Sequence, residues 1–295
     1  MKHILLVITC LFAFSSQLYS QRNFSESLMM STYKIKDGKT GASGTAFILC
    51  ESVSDTSLAG YTVLITAKHV LDGIKDSIAI LELREKETHT LFEHKLQIRS
   101  GNQNLYVCHD NADIAVIALD VPSKGECTNL STGFLADDAL LDSNEIAPGQ
   151  DVNALGYPFG YSANKYGYSV LRSAKIASYP LLPTRIEKTF FIDMSVFGGN
   201  SGGPVYYEYI NPLFIGKAQY LITDMKSIKQ KTQFFILGLV IEETTHEIHT
   251  ETRYESKIQR VPLGVATVVH ASLIKDTIAK LKLRELYALQ VKNNY

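Results

Sequence analysis

Between residues 30 and 270 the hydrophobic positions come in short runs that are rich in β-branched and aromatic side chains. Gly, Asn, Asp or Pro interrupts these runs, and three of the clearest are Tyr61–Thr66, Ile114–Leu119 and Phe234–Ile241. Runs of this length and composition are typical of β-strands. No regular amphipathic helix of the kind that connects parallel strands is predicted between them. The pattern therefore predicts an all-β protein, built as a barrel or a sandwich.

Near the C-terminus the hydrophobic residues change to a near-helical repeat. Lys and Arg side chains separate the aliphatic residues of this repeat, which are Ile274, Ile278, Leu281, Leu286 and Leu289. The pattern predicts a C-terminal α-helix that packs on the β-structure, with Ser272 as its N-cap. Upstream, the polar segment 137–151 contains Pro148-Gly149, which indicates a connection between two halves of the chain.

The N-terminus has the features of an export signal. A basic start at Lys2 precedes the apolar run Ile4–Phe14, and the small residue Ser20 stands before Gln21. We therefore predict a secretory signal peptide over residues 1–20 and a mature protein in the periplasm or outside the cell. A buried N-terminal helix and lipidation at Cys10 are the alternatives. No later stretch is apolar over the roughly 20 residues of a membrane helix, so no stable membrane insertion is expected after cleavage.

The charge balance argues against a nucleic-acid partner. The chain has 29 basic and 30 acidic residues and a formal net charge of −1, so it lacks the basic excess that phosphate binding requires. Hydrophobic residues make up 45% of the sequence, which is enough to form a folded core.

Three cysteines remain after the predicted signal peptide is removed, Cys50, Cys108 and Cys127. An odd number permits at most one internal disulfide, and which pair forms is left open. Their spacing fits no zinc-binding pattern, and Cys108 has only His109 beside it in the sequence. The sequence therefore predicts neither a metal site nor an organic cofactor.

The strongest local motif is the segment Gly198–Pro204, which follows the strand-like run Thr189–Ile192. Glycines around Ser201 permit positive φ angles and allow a substrate to approach the main chain closely. Such a loop can direct the N–H groups of Gly199 and Ser201 at the oxyanion that forms when the serine attacks a carbonyl. The alternative interpretation is a β-turn that happens to contain a serine.

A serine hydroxyl is a weak nucleophile, so the catalytic interpretation requires a positioned base. His69 is the candidate because it follows the end of the strand-like run Tyr61–Thr66, at a position expected on a barrel rim. A carboxylate must then hold the imidazole in the correct tautomer. Asp113 leads directly into the apolar run Ile114–Leu119 and is the candidate for that role. The alternatives are an exposed histidine without a catalytic role and a solvated strand start.

Together the three motifs resemble those of the trypsin-like, or chymotrypsin-fold, peptidases. They read Thr66-Ala67-Lys68-His69, Asp113-Ile114-Ala115 and Gly199-Asn200-Ser201-Gly202-Gly203-Pro204, in the family's order of His, Asp and Ser. Segments 42–47 and 148–160 are similar to the bacterial high-temperature-requirement (HtrA) branch. The resemblance implies one peptidase domain made of two six-stranded antiparallel β-barrels. Residues 21–145 would carry His69 and Asp113, and residues 146–295 would carry Ser201 and the C-terminal α-helix.

The resemblance also implies a serine endopeptidase that cleaves a polypeptide substrate through an acyl-enzyme intermediate. In this family the residue six positions before the nucleophile forms the base of the main specificity pocket, which assigns Ser195 and its neighbour Val196 to substrate binding. The strand expected to pair with an extended substrate carries Ile241, Glu242 and Glu243. About 90 residues follow the nucleophile, so no PDZ domain is expected.

Two other functions compete with this interpretation. Gly199–Gly203 also satisfies the G-x-S-x-G pattern of α/β-hydrolase esterases, but that motif opens a helix after the serine, whereas Val205–Ile210 is strand-like. The non-enzymatic alternative is a catalytically silent binding protein with a trypsin-like fold. Such proteins usually lack a triad residue, and none is missing from this sequence.

Overall fold

The computed structural model describes residues 24–51, 61–128, 130–210, 232–251 and 256–281. For residues 210, 232, 246–251 and 256–260 the description covers the backbone alone. The predicted signal peptide, Leu286 and Leu289 lie outside the described residues. Within the described ranges, no helix has the length and hydrophobicity needed to cross a membrane.

The first half of the chain folds into a seven-stranded antiparallel sheet and a small hairpin. The strands are β1 (Thr32–Asp37), β2 (Ser43–Glu51), β3 (Tyr61–Thr66), β4 (Ile78–Arg84), β5 (Leu91–Gln97), β6 (Arg99–Ser100), β7 (Gln103–Asn104), β8 (Val107–Cys108) and β9 (Ala115–Leu119). The order across the sheet is β5-β4-β1-β2-β3-β9-β8. The β6–β7 hairpin links the two outer strands, and the Leu105 N–H donates to the Ile98 carbonyl (2.9 Å) where the barrel closes.

The second half forms a six-stranded antiparallel sheet. Its strands are β10 (Asp151–Gly156), β11 (Val170–Lys175), β12 (Thr189–Ile192), β13 (Pro204–Ile210), β14 (Thr232–Glu251) and β15 (Ser256–His270). They lie in the order β11-β10-β13-β14-β15-β12. A β-bridge between Ile176 and Ile192 joins the two outer strands, so this sheet also closes on itself.

The predicted all-β architecture of two antiparallel barrels is confirmed. Both barrels have the same connectivity: when the six main strands of each are numbered along the chain, neighbours around the barrel follow the order 1-2-3-6-5-4. The first sheet contains one strand more than the six expected, the two-residue β8. This extra strand pairs antiparallel with β9, and the connection between the two strands, residues 109–114, carries Asp113.

The strand β2 shows how the barrels pack together. Its residues Ala46 and Ile48 belong to the core of the first barrel, whereas Phe47 and Leu49 belong to a hydrophobic cluster shared with the second barrel. Successive side chains of a strand face opposite sides. A strand that is buried on both sides therefore needs a continuous apolar run, which is the pattern that β2 has.

Short helices complete the described structure, namely α1 (Phe24–Met30), α2 (Lys68–Gly73), α3 (Asp138–Ser143) and α4 (residues 271–281). The predicted C-terminal helix is confirmed as α4, and Ile274, Ile278 and Leu281 are buried. The predicted N-cap is wrong. The helix follows β15 directly, so Ser272 lies inside it, and its hydroxyl donates to Thr184 Oγ1 (2.7 Å).

The polar segment 137–151 contains α3 and leads into β10. Asp137 caps α3, because its carboxylate accepts the Leu140 N–H (3.0 Å). The same carboxylate pairs with Lys275 of α4 (2.7 Å), which holds the segment against the C-terminal helix. The boundary between residues 145 and 146 stays a prediction.

A buried arginine joins four parts of the molecule. Arg84, at the end of β4, is fully buried and donates from Nε to Glu126 (2.7 Å). Its Nη2 donates to the carbonyl of Met30 in α1 (2.8 Å), and its Nη1 donates to the carbonyl of Gly167 in the second half of the chain (3.2 Å). These bonds satisfy the buried charge and connect α1 with both barrels.

Candidate active site

The end of β3 positions His69. The strand ends at Thr66, whose hydroxyl donates to the Thr45 carbonyl (2.6 Å), and α2 begins at Lys68. His69 therefore lies in the first turn of a short helix at the rim of the first barrel. Its side chain is 49% exposed, so the imidazole is accessible from the adjoining cleft.

Asp113 holds His69 through two hydrogen bonds. Imidazole Nδ1 lies 2.5 Å from Asp113 Oδ2, and the His69 main-chain N–H donates to Oδ1 (2.9 Å). Because both carboxylate oxygens bind the same residue, the orientation of the ring is fixed. The neutral imidazole then carries its proton on Nδ1, which leaves Nε2 as the basic nitrogen.

This contact shifts the pKa of both side chains. The hydrogen bond to Asp113 raises the pKa of His69 against the opposing effect of burial, and the carboxylates of Glu242 and Asp72 raise it further. Burial raises the pKa of Asp113, but the hydrogen bonds from His69 outweigh burial, so the net pKa is lowered. Asp113 is therefore ionised at neutral pH and can stabilise a protonated imidazole.

The loop before β13 needs its glycines. Gly199 has a φ of +98°, and a Cβ there would lie 2.2 Å from the Tyr157 carbonyl oxygen. Gly202 has a φ of +88°, and a Cβ there would lie 2.0 Å from the Thr45 carbonyl oxygen. A side chain at either position would be strained in its backbone and would also collide with main-chain atoms. The residues around Ser201 are thus fixed by the shape of the loop.

Ser201 lines the same cleft as His69. The cleft has a volume of about 230 Å³ and is also lined by Gly44, Val70 and Gly199. The Ser201 hydroxyl donates its hydrogen bond to the Ile241 carbonyl (3.0 Å) and not to the imidazole. A serine side chain has three staggered positions. A change of rotamer is therefore the movement that would free the hydroxyl from Ile241.

Two N–H groups of the loop are available to an anion. The neighbouring N–H groups are engaged, because Asn200 donates to the Phe197 carbonyl (3.0 Å) and Gly202 donates to the Val240 carbonyl (2.7 Å). The N–H groups of Gly199 and Ser201 have no acceptor among the described residues. They are the two groups that the sequence analysis assigned to an oxyanion hole.

Comparison with known proteins identifies the family. A family model described as a trypsin-like peptidase domain matches residues 44–209, which is more than half of the chain. The chain belongs to this family. Among solved structures, it is similar to the protease Anisep from Arthrobacter nicotinovorans, with 15% identity, a TM-score of 0.42, and coverage of 85% of this chain and 95% of that chain. No curated protein matches the sequence.

In this trypsin-like peptidase, sequence reasoning missed Thr45, which connects the barrels at the site. This residue of β2 donates from Oγ1 to the Gly199 carbonyl (2.6 Å), and its N–H donates to the Ser201 carbonyl (2.8 Å). Its hydroxyl also accepts the Tyr157 N–H (3.2 Å). A threonine in an apolar run is typical of any β-strand, so the sequence around Thr45 does not indicate its contacts with Gly199 and Ser201.

The predicted substrate-binding residues lie on two segments, the strand β14 and the residues that follow β12. Ile241 is half-buried beside Ser201, Glu242 is exposed, and Glu243 is half-buried with its Oε1 enclosed. Ser195 lies near Gly264 of β15, and its carbonyl accepts a hydrogen bond from Arg172. The side chain of Val196 is 2% exposed and packs in the shared hydrophobic cluster, so its assignment to substrate binding stays a prediction that only its main chain could satisfy.

Other candidate chemistry lies away from this cleft. Cys50, Cys108 and Cys127 form no disulfide with one another, and burial raises the pKa of each thiol. Within the described ranges, no cluster of His, Cys, Asp and Glu could hold a metal ion. A larger cleft of about 600 Å³ on the first barrel contains none of the predicted site residues.

Proposed function

We propose that this trypsin-like peptidase is a serine endopeptidase that hydrolyses internal peptide bonds through an acyl-enzyme intermediate. The observation that supports it most strongly is the 2.5 Å contact between His69 and Asp113 at the edge of the cleft that Ser201 lines. An ionised carboxylate behind an imidazole, with Nε2 left free, is the arrangement that general-base activation of a hydroxyl requires.

In the proposed reaction, His69 Nε2 takes the hydroxyl proton as Ser201 Oγ attacks the substrate carbonyl carbon. The N–H groups of Gly199 and Ser201 stabilise the oxyanion, and Asp113 stabilises the imidazolium. His69 then transfers the proton to the departing amine, and the acyl-enzyme remains. Water repeats the attack, gives one proton to His69 and releases the carboxylic acid, and the proton returns to Ser201.

A cleavage profile on a library of internally quenched peptides tests this proposal. The mature protein should cut within the peptides, and S201A should cut none of them above background. Equal cleavage by both proteins would remove Ser201 from the nucleophile role. Cleavage confined to terminal residues would contradict the endopeptidase assignment.

One observation favours a second candidate, a catalytically silent binding protein. The Ser201 hydroxyl is bonded to Ile241 and not to His69. If the protein is catalytically silent, wild type and S201A should bind peptides with equal affinity, and neither should cleave them. If the protein is an active enzyme, wild type should cleave these peptides and S201A should not.

We also propose that the protein is exported through a signal peptide over residues 1–20. The basic start, the apolar run and Ser20 before Gln21 support this. N-terminal sequencing of the protein recovered outside the cytoplasm should begin at Gln21. Recovery in the cytoplasm with an intact Met1 would contradict export.

A further inference from the structure

We propose that Glu243 determines the substrate specificity of the peptidase and that its carboxylate receives a lysine or arginine side chain on the N-terminal side of the cleaved bond. This inference rests on the proposed serine endopeptidase function. The resemblance places Ser195 at the base of the main specificity pocket. Because this side chain is neutral, Ser195 alone predicts no preference for a charged substrate side chain.

The strand β14 places Glu243 close to the nucleophile. The Ile241 carbonyl accepts the Ser201 hydroxyl (3.0 Å), and Glu243 follows two residues later on the same strand. A substrate that pairs with this edge of the sheet by β-augmentation would run past Glu243 as it approaches Ser201. The carboxylate is therefore within the part of the strand that the residues next to the cleaved bond would contact.

The register of the sheet directs Glu243 away from bulk water. Glu243 pairs with Ala266 of β15, and directly opposed residues of an antiparallel pair share one face. Ala266 is fully buried in the shared hydrophobic cluster, so that face is the interior side of the second barrel. The neighbouring Glu242 pairs with Thr267 on the other face and is exposed.

The carboxylate of Glu243 is incompletely satisfied. Its Oε1 is buried and has no hydrogen-bond partner among the described residues. A buried carboxylate oxygen without a donor is unfavourable, because it has lost water and gained no hydrogen bond in return. A donor supplied by the substrate would remove this deficit, and a cationic donor would also neutralise the charge.

Space for such a side chain lies next to the strand. A Cβ added at Gly264 would have one neighbour within 4 Å, Ser195 Oγ at 3.8 Å, and a Cβ at Gly198 would have none. Gly264 stands two residues before Ala266, the residue that pairs with Glu243, so the open space over Gly264 is bordered by Ser195 and lies close to β14. Because Ser195 is neutral, the charge of Glu243 can decide which substrate side chain binds in this space.

Arg172 is the competing charge. Its Nη1 donates to the Ser195 carbonyl, and its guanidinium lies 5.9 Å from the centre of the Phe197 ring. No carboxylate of the described residues pairs with it. If Arg172 set the specificity, the enzyme would prefer glutamate or aspartate. We favour Glu243 because Arg172 already binds a carbonyl and faces an aromatic ring, whereas Oε1 of Glu243 has no partner.

The test uses fluorogenic peptides that differ only in the residue before the cleaved bond, which is lysine, norleucine or glutamate. Norleucine keeps the aliphatic stem of lysine and lacks the charge. Wild type should cleave the lysine peptide with the highest kcat/KM. E243Q should lose on the order of 30-fold in kcat/KM for lysine, as expected when one member of a desolvated charge pair is removed, with little change for norleucine. E243K should prefer glutamate.

E87Q is the control, because it removes a glutamate from an exposed turn between β4 and β5. Its effect should be equal for the lysine and norleucine peptides, so the ratio between them should not change. An unchanged ratio in E243Q, a ratio altered equally by E87Q, or a wild-type preference for glutamate would overturn the inference.

Labelling with a fluorophosphonate separates this inference from the proposed function. If Ser201 of wild type and E243Q reacts to the same extent, both proteins are folded and competent, and any change in the lysine preference is attributable to Glu243. If Ser201 of wild type does not react at all, the proposed serine endopeptidase function fails first.

Discussion

The two barrels share one connectivity but prepare their parts of the site differently. His69 and Asp113 belong to the first barrel and are joined to each other by two hydrogen bonds. Ser201 belongs to the second barrel, and its loop is held in part by Thr45 of the first. The proposed base is thus held within one barrel, whereas the loop of the proposed nucleophile, Ser201, depends on contact between both. Changes at the contact should affect Ser201 without disturbing His69.

The largest effect is expected from breaking the pair within the first barrel. D113N should lower kcat/KM by about 10⁴-fold, because the amide no longer fixes the reactive tautomer or stabilises the imidazolium. Steady-state kinetics on a quenched peptide measures the loss. D110N is the control, since Asp110 is exposed and pairs with Lys280 at the surface. A D113N enzyme with near-normal activity would show that another carboxylate orients His69.

The next largest effect concerns the buried arginine that connects both halves. R84M leaves Glu126 buried without its guanidinium, which should reduce the free energy of unfolding by about 3–5 kcal/mol. Chemical denaturation measures this loss. The double variant R84M/E126L removes both charges and should regain part of the stability. If R84M unfolds at the same denaturant concentration as wild type, Arg84 does not stabilise the structure.

A smaller effect is expected at the contact between the barrels. T45V keeps the shape of the side chain but removes the hydroxyl that donates to the Gly199 carbonyl. The loop that carries Gly199 and Ser201 should therefore be less well held. We expect kcat to fall by roughly 10- to 100-fold while the pH dependence set by His69 stays unchanged.

T62V provides the matched comparison. Thr62 donates its hydroxyl to the Leu119 carbonyl within the first barrel, so T62V removes a hydrogen bond that does not cross to Ser201. Its kcat should match that of wild type. If T45V and T62V behave alike, the contact at Thr45 has no special connection with the nucleophile loop.

The smallest effect is expected in the pH profile. In the proposed mechanism neutral His69 is the base. The hydrogen bond to Asp113 raises its pKa, so kcat/KM should increase with pH and reach half of its maximum above about pH 6.5. The Glu242 carboxylate also raises the pKa of His69. E242Q should therefore move the acidic limb to lower pH, whereas E87Q, at an exposed turn of the first barrel, should not. An acidic limb below pH 6 in wild type would contradict a stabilised imidazolium.

The strands and the triad candidates could be predicted because their signals are local. A continuous apolar run marks a strand buried on both sides, and the glycines around Ser201 reflect φ angles that other residues rarely adopt. The burial of Val196 could not be predicted, because the alternation of strand side chains ends with β12 and the direction of a loop side chain depends on residues distant in the sequence. The role of Thr45 was hidden for a similar reason, since its partners Gly199 and Ser201 are more than 150 residues away in the sequence.

The most direct measurement is the mass of the purified protein after reaction with a fluorophosphonate, followed by peptide mapping of the adduct. The account predicts one adduct per molecule, on Ser201, and slow or absent labelling in H69A, because the hydroxyl then lacks its base. An adduct on a different serine, or labelling at the same rate with and without His69, would contradict the account.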